Sequence, residues 1–169
     1  MNSLFLFQSR TEYHLKEVDS GIVLCHKDTI LCSSVASRAP SDAYEYLQSA
    51  NSNPIRIPIY ADSEHQFLDA EGGIEFFRAC SVYGHPIIPV APLDYSVCWI
   101  LKALGASQIE VEVSNPAFEI GITRPKLLSH ILNRIDIPFI AGGVFSAQDK
   151  DKLWDMGFHA ILNYKQESM

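Results

Sequence analysis

Ile137-Pro138-Phe139-Ile140-Ala141-Gly142-Gly143-Val144 leads through Ser146-Ala147-Gln148-Asp149 to Gly157-Phe158-His159-Ala160-Ile161. An apolar segment ends in paired glycines, a helix signal follows, and another glycine precedes a second apolar segment. Ser146 with Asp149 three residues on is close to a capping box, and Gly157 is a helix stop. The order strand, Gly-Gly, helix, Gly, strand defines a βαβ unit and hence a parallel sheet. Paired glycines at a strand end also let backbone N–H groups approach an anion beside the positive N-terminus of the next helix.

The same alternation extends upstream. Further strands are expected at Leu4–Gln8, Gly21–Cys25, Ile55–Ala61, Pro86–Ala91 and Gln108–Val113, beside Pro138–Gly142 and Ala160–Tyr164. Thr29–Ser33 is either an eighth strand or a continuation of the second. Helical stripes at i, i+3, i+4, i+7 spacing separate them: Ala43 to Ala50, Phe76 to Tyr83, Val97 to Leu104 and Leu128 to Ile135. Several strands are apolar almost throughout, as expected when both faces are covered. No low-complexity tract or charge block divides the chain, so a single α/β domain spans 1–169. The expected fold is a small (β/α) TIM-type barrel, complete or incomplete, of seven or eight parallel strands. A doubly wound open parallel sheet is the alternative, because full barrels ordinarily take about 200–250 residues.

Composition narrows the function classes. The chain has 169 residues, 47% apolar and 20% charged, with a formal net charge of −7. Acidic balance disfavours a nucleic-acid coat or a binder of anionic membranes. The cysteines Cys25, Cys32, Cys80 and Cys98 are too scattered for a disulfide framework or a close-spaced zinc site. No apolar run reaches the roughly 18 residues of a membrane span, and no basic segment precedes the N-terminal apolar stretch. A cytoplasmic protein without metal or cofactor is expected, and a homo-oligomer is admitted.

Pro125-Lys126-Leu127-Leu128, followed by Asp136 and the Ile140-Ala141-Gly142-Gly143 strand, resembles the glycerol-3-phosphate-responsive antiterminators of the glycerol uptake operon, which are small (β/α) barrels. Glu110-Val111-Glu112-Val113 is similar to that family's Glu-bearing strand, with Glu112 at the matching position. Leu93-Asp94 resembles a strand-terminal Leu-Asp, Asp62 an Asp closing the third strand, and Gly73-Ile74-Glu75-Phe76 a helix start. Asn163-Tyr164-Lys165 stands where the family carries a Ser/Thr-rich phosphate turn. The resemblance implies a ligand such as glycerol 3-phosphate and an RNA partner, the latter disfavoured by the acidic charge unless Arg56, Arg78 and Arg124 gather locally.

Candidate ligand-binding residues are therefore Gly142, Gly143, Asn163, Glu112, Asp62, Asp94 and Lys126. Asp62, Asp94 and Glu112 would meet at one mouth of the sheet, where carboxylates orient hydroxyls or do acid/base work. Asp62 and Asp94 could equally cap the helices that follow them. Glu110 and Glu112 share one face of their strand, so a barrel interior there demands that at least one be paired, hydrated or liganded. No catalytic residue is assigned, and no lysine lies in an expected strand, so a Schiff-base aldolase lacks its central group. Trp99 and Trp154 read as core or interface anchors. The expectation is a regulatory protein sensing a phosphorylated metabolite. The alternatives are an isomerase or lyase of a small phosphorylated compound, and a degenerate barrel acting through a protein interface that uses exposed aromatics such as Tyr13, Tyr44 and Tyr46.

Overall fold

The computed structural model describes residues 8–19, 21–34, 55–58, 74, 77–81, 87–91, 94–113 and 125–164. Among them are eight strands: β1 (Thr11–Val18), β2 (Gly21–His26), β3 (Thr29–Ser34), β4 (Ile55–Pro58), β5 (Ile87–Ala91), β6 (Ile109–Glu112), β7 (Phe139–Gly143) and β8 (Ala160–Asn163). Three helices intervene, α1 (Tyr95–Ala103), α2 (Pro125–Arg134) and α3 (Ala147–Met156), and residues 77–81 are also helical. The strands pair in chain order and β1 returns to β8, so the sheet curls closed on itself.

From β3 round to β1 every pairing is parallel, whereas β1 with β2 and β2 with β3 run antiparallel. The open doubly wound alternative is therefore wrong, and so is the expectation that all strands are parallel. Connections of only two residues, 19–20 and 27–28, join these strands, and a connection that short forces an antiparallel pair. β1 itself was not among the expected strands; the segment Leu4–Gln8 assigned in its place lies, but for Gln8, outside the described residues. So does the expected helix over Ala43 to Ala50.

Two cores share the sheet. Alternate residues of β5 to β8, including Ile87, Ala91, Ile109, Val111, Phe139, Ala141 and Ile161, face outward beneath Val97, Cys98 and Leu101 of α1, Ile131 of α2 and Leu153 of α3. The intervening set fills the interior: Tyr13, Leu24, Ile88, Ile140, Ala160 and Leu162. Tyr13 is thus only 2% exposed, not a surface aromatic, and its hydroxyl oxygen accepts the Gln8 N–H at 2.6 Å. Each fully buried aliphatic side chain contributes about 1.5–3 kcal/mol.

The helix signals are realised locally. Ser146 and Asp149 form a reciprocal capping box at α3, and Gly157 ends the helix at φ 102°, a left-handed conformation suited to glycine. Cys25, Cys80 and Cys98 are buried free thiols. Burial pushes Cys80 up to about 11 and Cys98 up to about 12, the latter despite a backbone hydrogen bond at Asp94. Trp99 is half exposed, and Trp154 packs partly buried against the outer core. Among the described residues no helix is long and apolar enough to cross a membrane.

Candidate functional site

Strand β6 reads Ile-Glu-Val-Glu, and the alternation of side chains sorts it. Ile109 and Val111 face the helices, so Glu110 and Glu112 face the interior. Glu110 is completely buried. Its partner is Arg56 of β4, itself 6% exposed, whose Nε donates to Glu110 Oε1 at 2.6 Å and whose Nη2 donates to Oε2 at 2.7 Å. Nη2 also donates to the Tyr164 hydroxyl at 3.0 Å, and that hydroxyl in turn donates to Glu110 Oε2. Arg56 further lies over the Tyr164 ring, 5.4 Å from its centroid. The expectation that a carboxylate on this face must be paired is met at Glu110, by a bidentate, charge-assisted fork.

Electrostatics follow the geometry. Burial pulls the Arg56 guanidinium down, but the Glu110 carboxylate outweighs it and holds the group charged. Burial pushes the Tyr164 phenol well above its ordinary value; the negative charge of Glu110 adds to that and Arg56 opposes it. Glu112 contributes a smaller push in the same direction, which fits its place one residue pair beyond Glu110, toward the C-terminal ends of the strands. Glu112 is half-buried and stands opposite Gly142 in the β6–β7 register.

The paired glycines acquire a packing role. A Cβ on Gly142 would come within 2.8 Å of the Glu110 Cδ and still closer to Glu110 Oε2 and the Tyr164 hydroxyl, so only glycine leaves room for the network. The Gly142 and Gly143 carbonyls accept the amides of Val113 and Tyr164, both at 2.7 Å. At the α3 N-terminus, Ser146 N–H donates to Asp149 Oδ2 at 3.2 Å and Asp149 N–H donates to Ser146 Oγ at 3.1 Å. Asp149 therefore already sets a negative charge where an anion would be drawn by the helix dipole.

The remaining candidates do not join this layer. Asp94 is exposed and caps α1, its Oδ1 accepting the Val97 N–H at 3.0 Å. Asn163 is 4% exposed and lies on the outer side, where its Nδ2 donates to Glu12 Oε2 at 2.9 Å. Asp62 lies outside the described residues; Lys126 is in the first turn of α2. Arg56 cannot belong to a surface basic cluster, Arg78 is exposed on the helical stretch 77–81, and Arg124 lies outside the described residues. A lysine does occur in a strand, Lys16 of β1, but it is exposed and alternates with the inward Tyr13.

Arg56 and Tyr164 were the functional-site residues missed. The sequence reading takes Arg56 only as a surface charge, although an arginine between Ile55 and Ile57 in an expected strand signals an internal partner. Among the described residues no group of three or more metal-ligating side chains comes together. What the interior layer can do is present a carboxylate, Glu112, above a fixed ionic floor of Arg56, Glu110 and Tyr164.

No protein-family model matches the sequence, and no curated protein matches it. Solved structures share the fold. The crystal structure of the Amycolatopsis orientalis BexX/CysO complex is similar with a TM-score of 0.65 and 19% identity, over 79% of this chain and 56% of that one. A candidate phosphonomutase from Burkholderia cenocepacia J2315 is similar with a TM-score of 0.53 and 14% identity, over 78% of this chain and 60% of that one. The chain spans less than two thirds of either neighbour, and at these identities the likeness is one of fold: a curled α/β sheet shared with a phosphonomutase-type structure.

Proposed function

We propose that the chain is a metabolite-responsive regulatory protein, a reduced TIM-type (β/α) barrel that takes a small phosphorylated compound such as glycerol 3-phosphate at the C-terminal mouth of its parallel strands. One observation carries this reading. The interior changes from an apolar filling of Tyr13, Leu24, Ile88, Ile140 and Leu162 to the ionic layer Arg56–Glu110–Tyr164, with half-buried Glu112 above it. A buried ion pair gains little stability over apolar packing of the same volume, so its presence beneath a mouth favours recognition over cohesion. The Glu112 carboxylate suits the hydroxyl groups of a polyol. Asp149 opposes an anion at the α3 N-terminus, so the proposal takes Lys126, in the first turn of α2, as the phosphate's counter-charge.

A thermal-shift titration with glycerol 3-phosphate and triose phosphates tests the proposal. Ligand at about 100 times its Kd would add about 2.7 kcal/mol to stability. A shift present in the native chain and lost in Glu112→Gln supports it; no shift at millimolar ligand overturns it. An RNA partner, implied by the antiterminator resemblance, is the weaker limb, since Arg56 is committed to Glu110 inside the sheet. The shared inward face of Glu112 and Tyr164 also favours a second reading, an isomerase or lyase with Glu112 as base. Deuterium uptake from solvent into a bound triose phosphate, abolished by Glu112→Gln, would select that reading.

A further inference from the structure

The outer face of β1 carries chemistry that the mouth does not use. Two short turns connect β1 to β2 and β2 to β3, so no connecting helix is inserted there. Glu12, His14 and Lys16 alternate outward against inward Tyr13 and Leu15. Beside them a cleft of about 390 Å³ is lined by Arg10, Thr11, Glu12, His14, His26 and Lys27.

The charges in this cleft do not cancel. Glu12 is already committed: Lys150 Nζ of α3 donates to its Oε1 at 3.0 Å, Asn163 Nδ2 donates to its Oε2, and His14 Nε2 lies 3.7 Å away. Burial alone would raise the Glu12 carboxyl, but the Asn163 and Lys150 hydrogen bonds and the Lys150 charge outweigh it, so the group stays ionised and neutralised. Arg10 and Lys27, in contrast, have no carboxylate partner among the described residues. Arg10 is placed by stacking, its guanidinium carbon 5.5 Å from the Trp154 ring centroid, which leaves the edge of the fork for an acceptor.

Backbone conformation marks the same two residues. Arg10 and Lys27 are the non-glycine residues with left-handed φ among those described, both at 55°. Lys27 takes it as the first residue of the two-residue β2–β3 hairpin turn, which calls for a positive φ, and Arg10 takes it in the turn that leads into β1. Two exposed cations that line one cleft without a carboxylate partner among the described residues, in a chain whose net charge is −7, form a local positive site on an acidic protein.

We infer that this outer cleft is a second, separate anion site that takes the dianionic phosphate group of a small phosphate monoester, gripped by the Arg10 fork and the Lys27 ammonium. Glu12 does not repel the ligand, because Lys150 balances it. The site lies on the outer surface of the sheet, away from the inward face that carries Glu112, and it does not depend on the mouth binding anything.

Amide NMR titration of the full chain with inorganic phosphate, at constant ionic strength against chloride, tests it. The expected result is saturable shifts at residues 10–14 and 26–28 and at the Trp154 indole. Arg10→Asn with Lys27→Asn keeps a residue that tolerates the left-handed backbone. This double variant should bind at least tenfold more weakly, and Glu112→Gln should bind as the native chain does. Failure to saturate, an unchanged affinity in the double variant, or shifts confined to the mouth and lost in Glu112→Gln would each overturn the inference. The last of these would leave the proposed function standing.

Discussion

Arg56→Met breaks the interior pair from one side. The substitution removes two hydrogen bonds to Glu110, of 2.6 and 2.7 Å, and one to Tyr164. Glu110 is fully buried, so water cannot replace the lost donors, and the Tyr164 hydroxyl stays with it as a donor. Breaking a buried pair in this way costs about 3–5 kcal/mol. Because Tyr164 retains its bond, the lower end, about 3 kcal/mol, is expected. For a chain of this size that is a fall in Tm of roughly 6–12 °C. Arg56→Met combined with Glu110→Leu removes the stranded charge and should recover at least about 2 kcal/mol, since an apolar replacement of a buried pair is often neutral or better. Urea unfolding followed by circular dichroism reads both variants. A cost below about 1 kcal/mol for the single variant, or a double variant no more stable than the single, would refute the argument. The double variant also separates cohesion from recognition: it should fold and yet lose the response to glycerol 3-phosphate.

Three further outcomes are expected. Gly142→Ala forces a methyl against Glu110 and Tyr164 and should cost about 2–3 kcal/mol in urea unfolding, as overpacking does, with partial recovery when Tyr164→Phe removes one crowding atom. Asp94→Ala removes the α1 cap and should cost about 1 kcal/mol, Asp94→Asn much less, and neither should alter the thermal shift with ligand. The Glu12 carboxyl is held below its ordinary value of 4.5, so its contribution is present at neutral pH and is lost as pH falls through that value and below. Glu12→Gln should therefore flatten the fall in stability on the acid side of 4.5 and leave the curve above pH 6 shifted but parallel. Partial exposure and added salt both reduce the effect.

The parts of the fold legible in the sequence were those where local chemistry and burial agree. Strands β5, β7 and β8 are buried throughout because both their faces are covered, and the Ser146–Asp149 box and Gly157 bound α3 as read. Strand β1, Thr11–Val18, escaped because only its inward side is apolar: Tyr13 and Leu15 alternate with Glu12, His14 and Lys16, a pattern weaker than a continuous run. The site was half legible. Side-chain alternation placed Glu110 and Glu112 together, but it does not give depth. Glu112 was preferred as the strand-terminal carboxylate, while Glu110 holds the ionic contact because β4 brings Arg56 to its level. Gly142 was read as a backbone donor to an anion, whereas its missing Cβ is explained by carboxylate oxygens on the neighbouring strand, which no local pattern reveals.

Chain length and the outer cleft have one cause. A parallel crossover needs a dozen or more residues, normally with a helix, whereas an antiparallel connection can be made in two. By joining β1, β2 and β3 through short turns, the chain omits two crossovers and still pairs eight strands around a closed sheet within 169 residues. The omission has a structural consequence. A strand followed by a helix is apolar on both faces, but one followed by a tight turn keeps its outer face wet unless another segment covers it. In β1 that face carries Glu12, His14 and Lys16, and it is Lys150 of α3, at the β8 side, that ties Glu12 down. A longer β1–β2 connection that supplied a helix would bury these polar side chains and cost the chain its cleft. The turn and the charged wall are therefore a single solution, and lengthening the 19–20 turn with a helical insert should reduce phosphate binding at Arg10 and Lys27 while the Arg56–Glu110 pair stays intact.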